Sequence, residues 1–302
     1  MSDHEATPVL EFFDEPQAFL EAAGGLLRAE PVLTTVVATV SQRALAGRVT
    51  PTPFPRWWVT VREDDEVVAV GMRTAPAAPS PPYLTEMSPT AARALAAALL
   101  ERGEVLTAVN GAAGAATVVA AETARHVGGT VEVVEHARLH QLDTLVAPAP
   151  VPGRLRPARA DDVAVCLAWW EQFEVDAAEQ AARPVTGPLE PQDEELMLAR
   201  IAQGLVWLWE DADGNVVHLT ADNPPAFGVV RVGPVFTPRG ERGRGYAAAA
   251  VAAVSARAQA AGHRVCLFTD QANPVSNRLY AGLGYVPVVD TTMLAITTPA
   301  PA

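Results

Sequence analysis

Residues Val235–Ala248 read VFTPRGERGRGYAA: an apolar run, then three arginines and three glycines within residues 239–245, then a run of alanines. The apolar run reads as a strand and the alanine run as a helix, so the glycines occupy the turn between them. Glycine carries no Cβ, which lets the main chain turn sharply and approach a ligand closely. A helix start presents N–H groups without intrahelical partners and the positive end of the helix dipole. The stretch therefore predicts an anion site at a strand-to-helix turn.

The neighbouring sequence supplies the rest of the fold. Upstream, RLRP (154–157) reads as a short strand, and DDVAVCLAWWEQFEV (161–175) as a helix with Asp161 or Asp162 as N-cap. EPQDEELMLARIAQG (190–204) reads as a second helix, and LVWLWED and VVHLTAD flank the turn ADGN (212–215) as a hairpin. FGVVRVGPVFT leads into the arginine/glycine loop. After the alanine helix come RVCLFTD as a strand, NPVSNRLYAGLG as a helix and YVPVVDTTMLAI as a closing strand. A hairpin followed by a βαβα unit indicates a mixed, mostly antiparallel sheet flanked by helices, of α/β (α+β) class.

The first half echoes this order. VLTTVVATVSQRALAG looks helical, RWWVTVREDDEVVAVGMRT looks like a hairpin, and residues 88–129 give helix, strand and helix before TVEVVEHARLHQLDTL extends. Where the second half has its arginine/glycine loop, the first has only LTEMSPTAARAL (84–95). Between the halves, LVAPAPVPGRLRPARADD (145–162) is dense in Pro and Gly and reads as a linker. The expected domains are 1–150 and 151–302, with the boundary near Gly153.

Composition excludes several classes. A net charge of −13 over 302 residues argues against a nucleic-acid surface, since positive charge is concentrated only in that one loop. No apolar run is long enough to span a membrane, and MSDHEATPVLEFFDEP has no basic n-region, so a cytoplasmic location is expected. The chain contains no lysine, which removes P-loop and Schiff-base chemistry. Cys166 and Cys266 lie apart in apolar segments and suit buried free thiols; no metal is expected.

Two readings of the loop compete with a pyrophosphate site of another kind. Gly243-Arg244-Gly245-Tyr246-Ala247-Ala248 fits the dinucleotide fingerprint with Ala in the last place, and Asp270 ends the next strand where a ribose-binding acid would sit. Against it, PRGER separates strand from first glycine, and QANPVSNRLY follows the acid instead of another alternating unit. Alternatively, the glycines make only a tight turn and the arginines are solvated.

The loop resembles that of the GNAT superfamily of acyl-CoA-dependent N-acetyltransferases: Arg242-Gly243-Arg244-Gly245-Tyr246-Ala247 satisfies the family pattern of Gln or Arg, two residues, Gly, one residue, Gly or Ala. The resemblance implies that loop amides hold the pyrophosphate of acetyl-CoA, with Val235, Phe236 and Thr237 ending a splayed strand beside the pantetheine. Gly233-Pro234 is then the place for its bulge. TDQANPVSNRLYAGLGYVPV is similar to the family's second coenzyme-facing segment. There Asn273 and Pro274 form an N-cap and N1 pair, and Asn277 and Tyr280 follow at helical spacing, facing one ligand. By its element order the whole chain resembles tandem members of the family, with a degenerate first half that lacks the coenzyme loop.

Acetyl transfer to an amine needs a neutral nucleophile, a polarised thioester carbonyl and a proton for the thiolate. The resemblance implies a backbone N–H near Phe236 as the polarising donor and Tyr280 as general acid. Many family members carry a Glu on the central strand, but AFGVVRVGPVF has no acid. His218 and Asp222 on the adjacent strand are candidate relays, and a water chain is the alternative. Glu171, Glu174 and Asp176 lie where the family builds its acceptor site, and they either attract an ammonium or form a solvated face. The acceptor is expected to be a small-molecule or peptide amine. A non-catalytic acyl-CoA sensor, or an N-acetyltransferase of a thiol or antibiotic pathway, also fits the sequence.

Overall fold

The computed structural model describes residues 7–48, 50–180 and 192–297. They fall into two compact units, residues 1–137 with 289–302, and residues 138–288.

The first unit opens with β1 (Val9–Phe13), α1 (Pro16–Ala29) and α2 (Thr35–Leu45). β2 (Trp57–Glu63) and β3 (Glu66–Arg73) form the expected hairpin, whose turn residues Asp64 and Asp65 both take positive φ. β4 (Tyr83–Leu84), α3 (Pro89–Glu101), β5 (Ala108–Ala112) and α4 (Ala113–Val127) follow, and β6 (Thr130–Leu142) leaves the unit. Alanines on α3 and α4 let both helices lie close to the sheet, with Leu95, Leu99 and Val119 filling the core between them. Sequence reading passed over β1 and α1. Gly24-Gly25 inside α1 lowers its intrinsic helicity, but burial of Phe19, Ala23 and Leu27 outweighs that loss.

The second unit contains β7 (Arg154–Pro157), α5 (Val163–Gln180), α6 (Glu194–Ala202), β8 (Val206–Glu210) and β9 (Val216–Asp222). β10 (Val229–Phe236), α7 (Tyr246–Ala260), β11 (Arg264–Asp270) and α8 (Pro274–Gly282) follow, and β12 (Tyr285–Thr297) starts in this unit and ends in the first. A 3-10 turn at Ala160–Asp162 precedes α5, and the Asp162 carboxylate accepts from the Arg159 N–H as an N-terminal cap. The expected second helix starts later than read, with Asp193 as its cap; Glu190 and Pro191 lie outside the described residues.

The strand order β6-β11-β10-β9-β8-β7 is antiparallel from β10 to β7 and parallel between β10 and β11. That parallel pairing covers only Val229–Val232 against Arg264–Leu267. The β9–β10 register then shifts between Val232 and Val235, so the bulge falls at Gly233-Pro234 as expected. Beyond it β10 keeps β9 as neighbour and has no registered partner on β11. The sheet is split there.

The expected boundary near Gly153 is not where the units divide. Residues 143–153 are folded into the second unit: Asp143 and Val146 donate to the carbonyls of Gly284 and Leu283 at 3.1 and 3.0 Å, and Trp209 Nε1 donates to Pro152 O at 3.1 Å. Gly153 takes φ +114°, and a Cβ there would lie 2.1 Å from Glu210 O. Proline and glycine exclude a helix or central strand but not a packed segment whose backbone groups are satisfied. Leu142, at the end of β6, sits in the core with Val230 and Val265. At the other end, Thr291–Ala295 of β12 pair antiparallel with Ala108–Ala112 of β5, so the last strand belongs to the first unit from Val289 onward.

A fragment of residues 151–302 therefore lacks a core strand and carries a closing strand without its partner. It is expected to show no cooperative thermal transition by circular dichroism, whereas residues 138–288 melt cooperatively. A sharp transition for 151–302 would contradict this division.

Candidate active site

Three helices show how differently a helix start can be finished. At α3, Ser88 Oγ accepts from Ala91 N at 3.1 Å, and Pro89 has no N–H to offer. At α8, Asn273 Oδ1 accepts from Val275 and Ser276 N–H at 3.2 and 3.1 Å. α7 has Gly245 as N-cap, with φ +85° and no side-chain acceptor. Its first intrahelical bond runs from Ala249 N to Gly245 O, so the N–H groups of Tyr246, Ala247 and Ala248 have no acceptor within the helix. Those three residues line a cleft of about 330 Å³.

The loop arginines are internally paired. Arg239 contacts Asp176 at 2.9 Å and also Glu179; Arg242 reaches the other Asp176 oxygen and donates to Thr237 O at 3.0 Å. Arg244 pairs with Glu241 at 2.9 Å and donates to Gly240 O at 3.2 Å. Burial alone would raise the Asp176 carboxyl, yet Arg239, Gln172 and Arg242 hold it below the usual carboxylate range. Asp176, read as an ammonium attractor or part of a solvated face, is neither. It ties the loop to α5, and the amides at the start of α7 stay open.

Val235, Phe236 and Thr237 line the same cleft, with Asn273 and Tyr280 opposite and Phe173 and Ala177 on α5. Successive residues of a strand aim their N–H groups at opposite edges, so one of Val235 and Phe236 donates toward β9 and the other toward the split. The Phe236 ring packs against Trp169 with centroids 5.9 Å apart. Tyr280 is 7 % exposed and meets Tyr285 edge-on at 5.9 Å. Its hydroxyl has no hydrogen-bond partner among the described residues, and burial pushes its pKa up, so it keeps its proton at working pH.

Several expected site residues lie elsewhere. Asn277 does not line the cleft: its Oδ1 accepts from Thr269 Oγ1 at 2.7 Å and its amide donates to the carbonyls of Asp270 and Gln271. Ser276 takes the cleft face instead, four residues before Tyr280, a spacing readable from the sequence. His218 is fully buried, with Nδ1 2.8 Å from Thr237 Oγ1 and Nε2 2.7 Å from Thr220 Oγ1. Burial lowers its pKa to about 3, so it is neutral and pins Thr237 from behind instead of relaying protons. Asp222 stands opposite Val232 before the bulge, away from the cleft, its carboxyl raised by burial to about 6. Glu171 and Glu174 are outside the cleft lining. Asp270 caps its own turn by accepting from Ala272 N at 2.8 Å, and the antiparallel β9–β10 pairing rules out a parallel dinucleotide-binding sheet.

Cys166 and Cys266 are buried and not joined in a disulfide, and burial pushes the Cys166 thiol up to about 12. Among the described residues, no group of His, Cys, Asp and Glu is placed to hold a metal, and no helix is long and apolar enough to cross a membrane.

One cleft thus brings together a split β10, an open helix N-terminus and a protonated tyrosine. Residues 154–286 match the family described as acetyltransferase (GNAT) domain. No curated protein matches the chain in sequence. Among solved structures, a GNAT-family acetyltransferase from Colwellia psychrerythraea is 10 % identical, with TM-score 0.53, covering 96 % of this chain and 100 % of its own. A GCN5-related N-acetyltransferase from Sphaerobacter thermophilus is 16 % identical, with TM-score 0.56, covering 98 % and 97 %. A tandem GNAT protein from the clavulanic acid biosynthesis pathway is 15 % identical, with TM-score 0.52, covering 97 % and 100 %. These share the fold along nearly the whole chain, first half included.

Gly245→Val is expected to abolish stabilisation by acetyl-CoA in calorimetry: the residue takes φ +85°, and a Cβ would lie 2.8 Å from Val151 Cγ1. Gly240→Ala, in the same loop with nothing within 4 Å of its Cβ, should keep it. Full stabilisation of the Gly245 variant would contradict the loop assignment.

Proposed function

We propose that the second unit transfers an acetyl group from acetyl-CoA directly to a primary amine of a small molecule or peptide. One observation carries this reading: the open N–H groups of α7, the split edge of β10 and the Tyr280 hydroxyl border a single cleft. Acetyl-CoA supplies the acetyl group as an activated thioester. The amides of Tyr246, Ala247 and Ala248 are suited to its pyrophosphate, because partial positive charge at a helix start needs no counter-ion to be displaced. The N–H of Val235 or Phe236 that points into the split is a fixed donor for the thioester oxygen, favouring charge that grows there during attack. Tyr280 retains its proton until the sulfur departs, then supplies it.

The first unit is the non-binding half in this proposal. Its α3 start is closed by Ser88, whose hydroxyl also donates to Glu63 at 2.7 Å. Its β4 and β5 stay paired at Tyr83–Asn110 and Leu84–Gly111, where a Cβ on Gly111 would lie 2.1 Å from Leu84 O, so no split opens there. A cytoplasmic location, with access to acetyl-CoA, is consistent with two buried thiols that are not joined in a disulfide.

Acetyl-CoA should raise the melting temperature and NADH should not. Tyr280→Phe keeps the ring and loses the hydroxyl. It is expected to bind acetyl-CoA like the parent while kcat falls by about 10²-fold. A joint loss of rate and affinity would make Tyr280 a packing residue, and an unchanged rate would assign the proton to another donor.

A further inference from the structure

The α5 side of the cleft is apolar and electrically balanced. Phe173 and Ala177 face it from α5, and Phe236 is backed by the Trp169 ring. Its carboxylates are already occupied: Asp176 holds Arg239 and Arg242, and Glu241 holds Arg244. The remaining titratable side chains lining it are Tyr246, packed against Val217 and Trp209, and the protonated Tyr280. His218 stands behind Thr237 as a neutral ring.

An ammonium brought against such a wall loses hydration and, among the described residues that line the cleft, meets no carboxylate outside an ion pair, so the neutral amine is favoured. A polycation would have to shed water from several charges at once. We propose that the acceptor is a primary monoamine with an aromatic or branched apolar body, taken up as the free base, and that this wall selects the uncharged nucleophile. In the reaction the nitrogen lone pair forms the C–N bond as the C–S bond breaks. Tyr280 protonates the sulfur, and the excess proton on nitrogen returns to the Tyr280 oxygen through water. The proposal rests on the coenzyme reading of the same cleft.

The test measures thiol release from acetyl-CoA by the full chain with benzylamine, para-nitrobenzylamine, spermidine and an aminoglycoside, from about pH 6 to about pH 9. The benzylamines should exceed spermidine and the aminoglycoside in kcat/KM by at least about tenfold, the scale on which an apolar pocket discriminates. The pH at which kcat/KM levels off should follow the acceptor, lying lower for the less basic nitro compound. Phe173→Ala should lower kcat/KM for the benzylamines by about tenfold more than for spermidine. Preference for spermidine or the aminoglycoside, a common inflection for both benzylamines, or indifference to Phe173→Ala would overturn the proposal. Absence of turnover with every amine, while acetyl-CoA still raises the melting temperature, overturns this substrate class alone. Absence of that rise overturns the coenzyme reading beneath it.

Discussion

The site depends on where β10 stops pairing with β11. Four residues of parallel ladder hold the two strands together, and Gly233-Pro234 then shifts the register against β9, so that the end of β10 leans on one neighbour only. Proline has no N–H to contribute to a ladder, and a bulge bends the strand that carries it. Backbone donors that a continuous sheet would consume are thereby left facing a cleft. The loop after β10 inherits its position from this departure, and α7 begins at the cleft with its first amides unspent.

Side chains around the split hold it in place. Thr237 is the hub: its carbonyl accepts from Arg242, and its hydroxyl meets His218, which is itself held by Thr220. Arg242 and Arg239 converge on the buried Asp176 of α5. A carboxylate this buried is tolerated because two guanidinium groups answer it, and removing either partner would leave the charge uncompensated. Two of the loop arginines thus act as a brace to α5, while the amides of Tyr246, Ala247 and Ala248 are left open at the cleft. In the first unit, by contrast, a serine cap and an unbroken β4–β5 pair close the same positions.

Much of this was legible in the sequence. The glycines at 243 and 245 marked a sharp turn before a helix, Gly233-Pro234 marked the bulge, and the alanine run marked α7. The domain limits were not legible. β6 and β12 each run from one unit into the other, and nothing in residues 130–142 or 285–297 says which strand they will join. Strand partners are chosen by non-local fit. Asn277 is turned from the cleft lining because helical spacing places residues on a face only to within a neighbour, and the carbonyls of Asp270 and Gln271 hold its amide. Asp176 and His218 gave no sign in the sequence of whether they would be buried or exposed.

The central claim is that an open helix start and a split strand, present in one unit and closed in the other, together make the coenzyme site. Calorimetric titration of the full chain with acetyl-CoA tests it most directly. One saturable site per chain is predicted; two equivalent sites, or none, would contradict it.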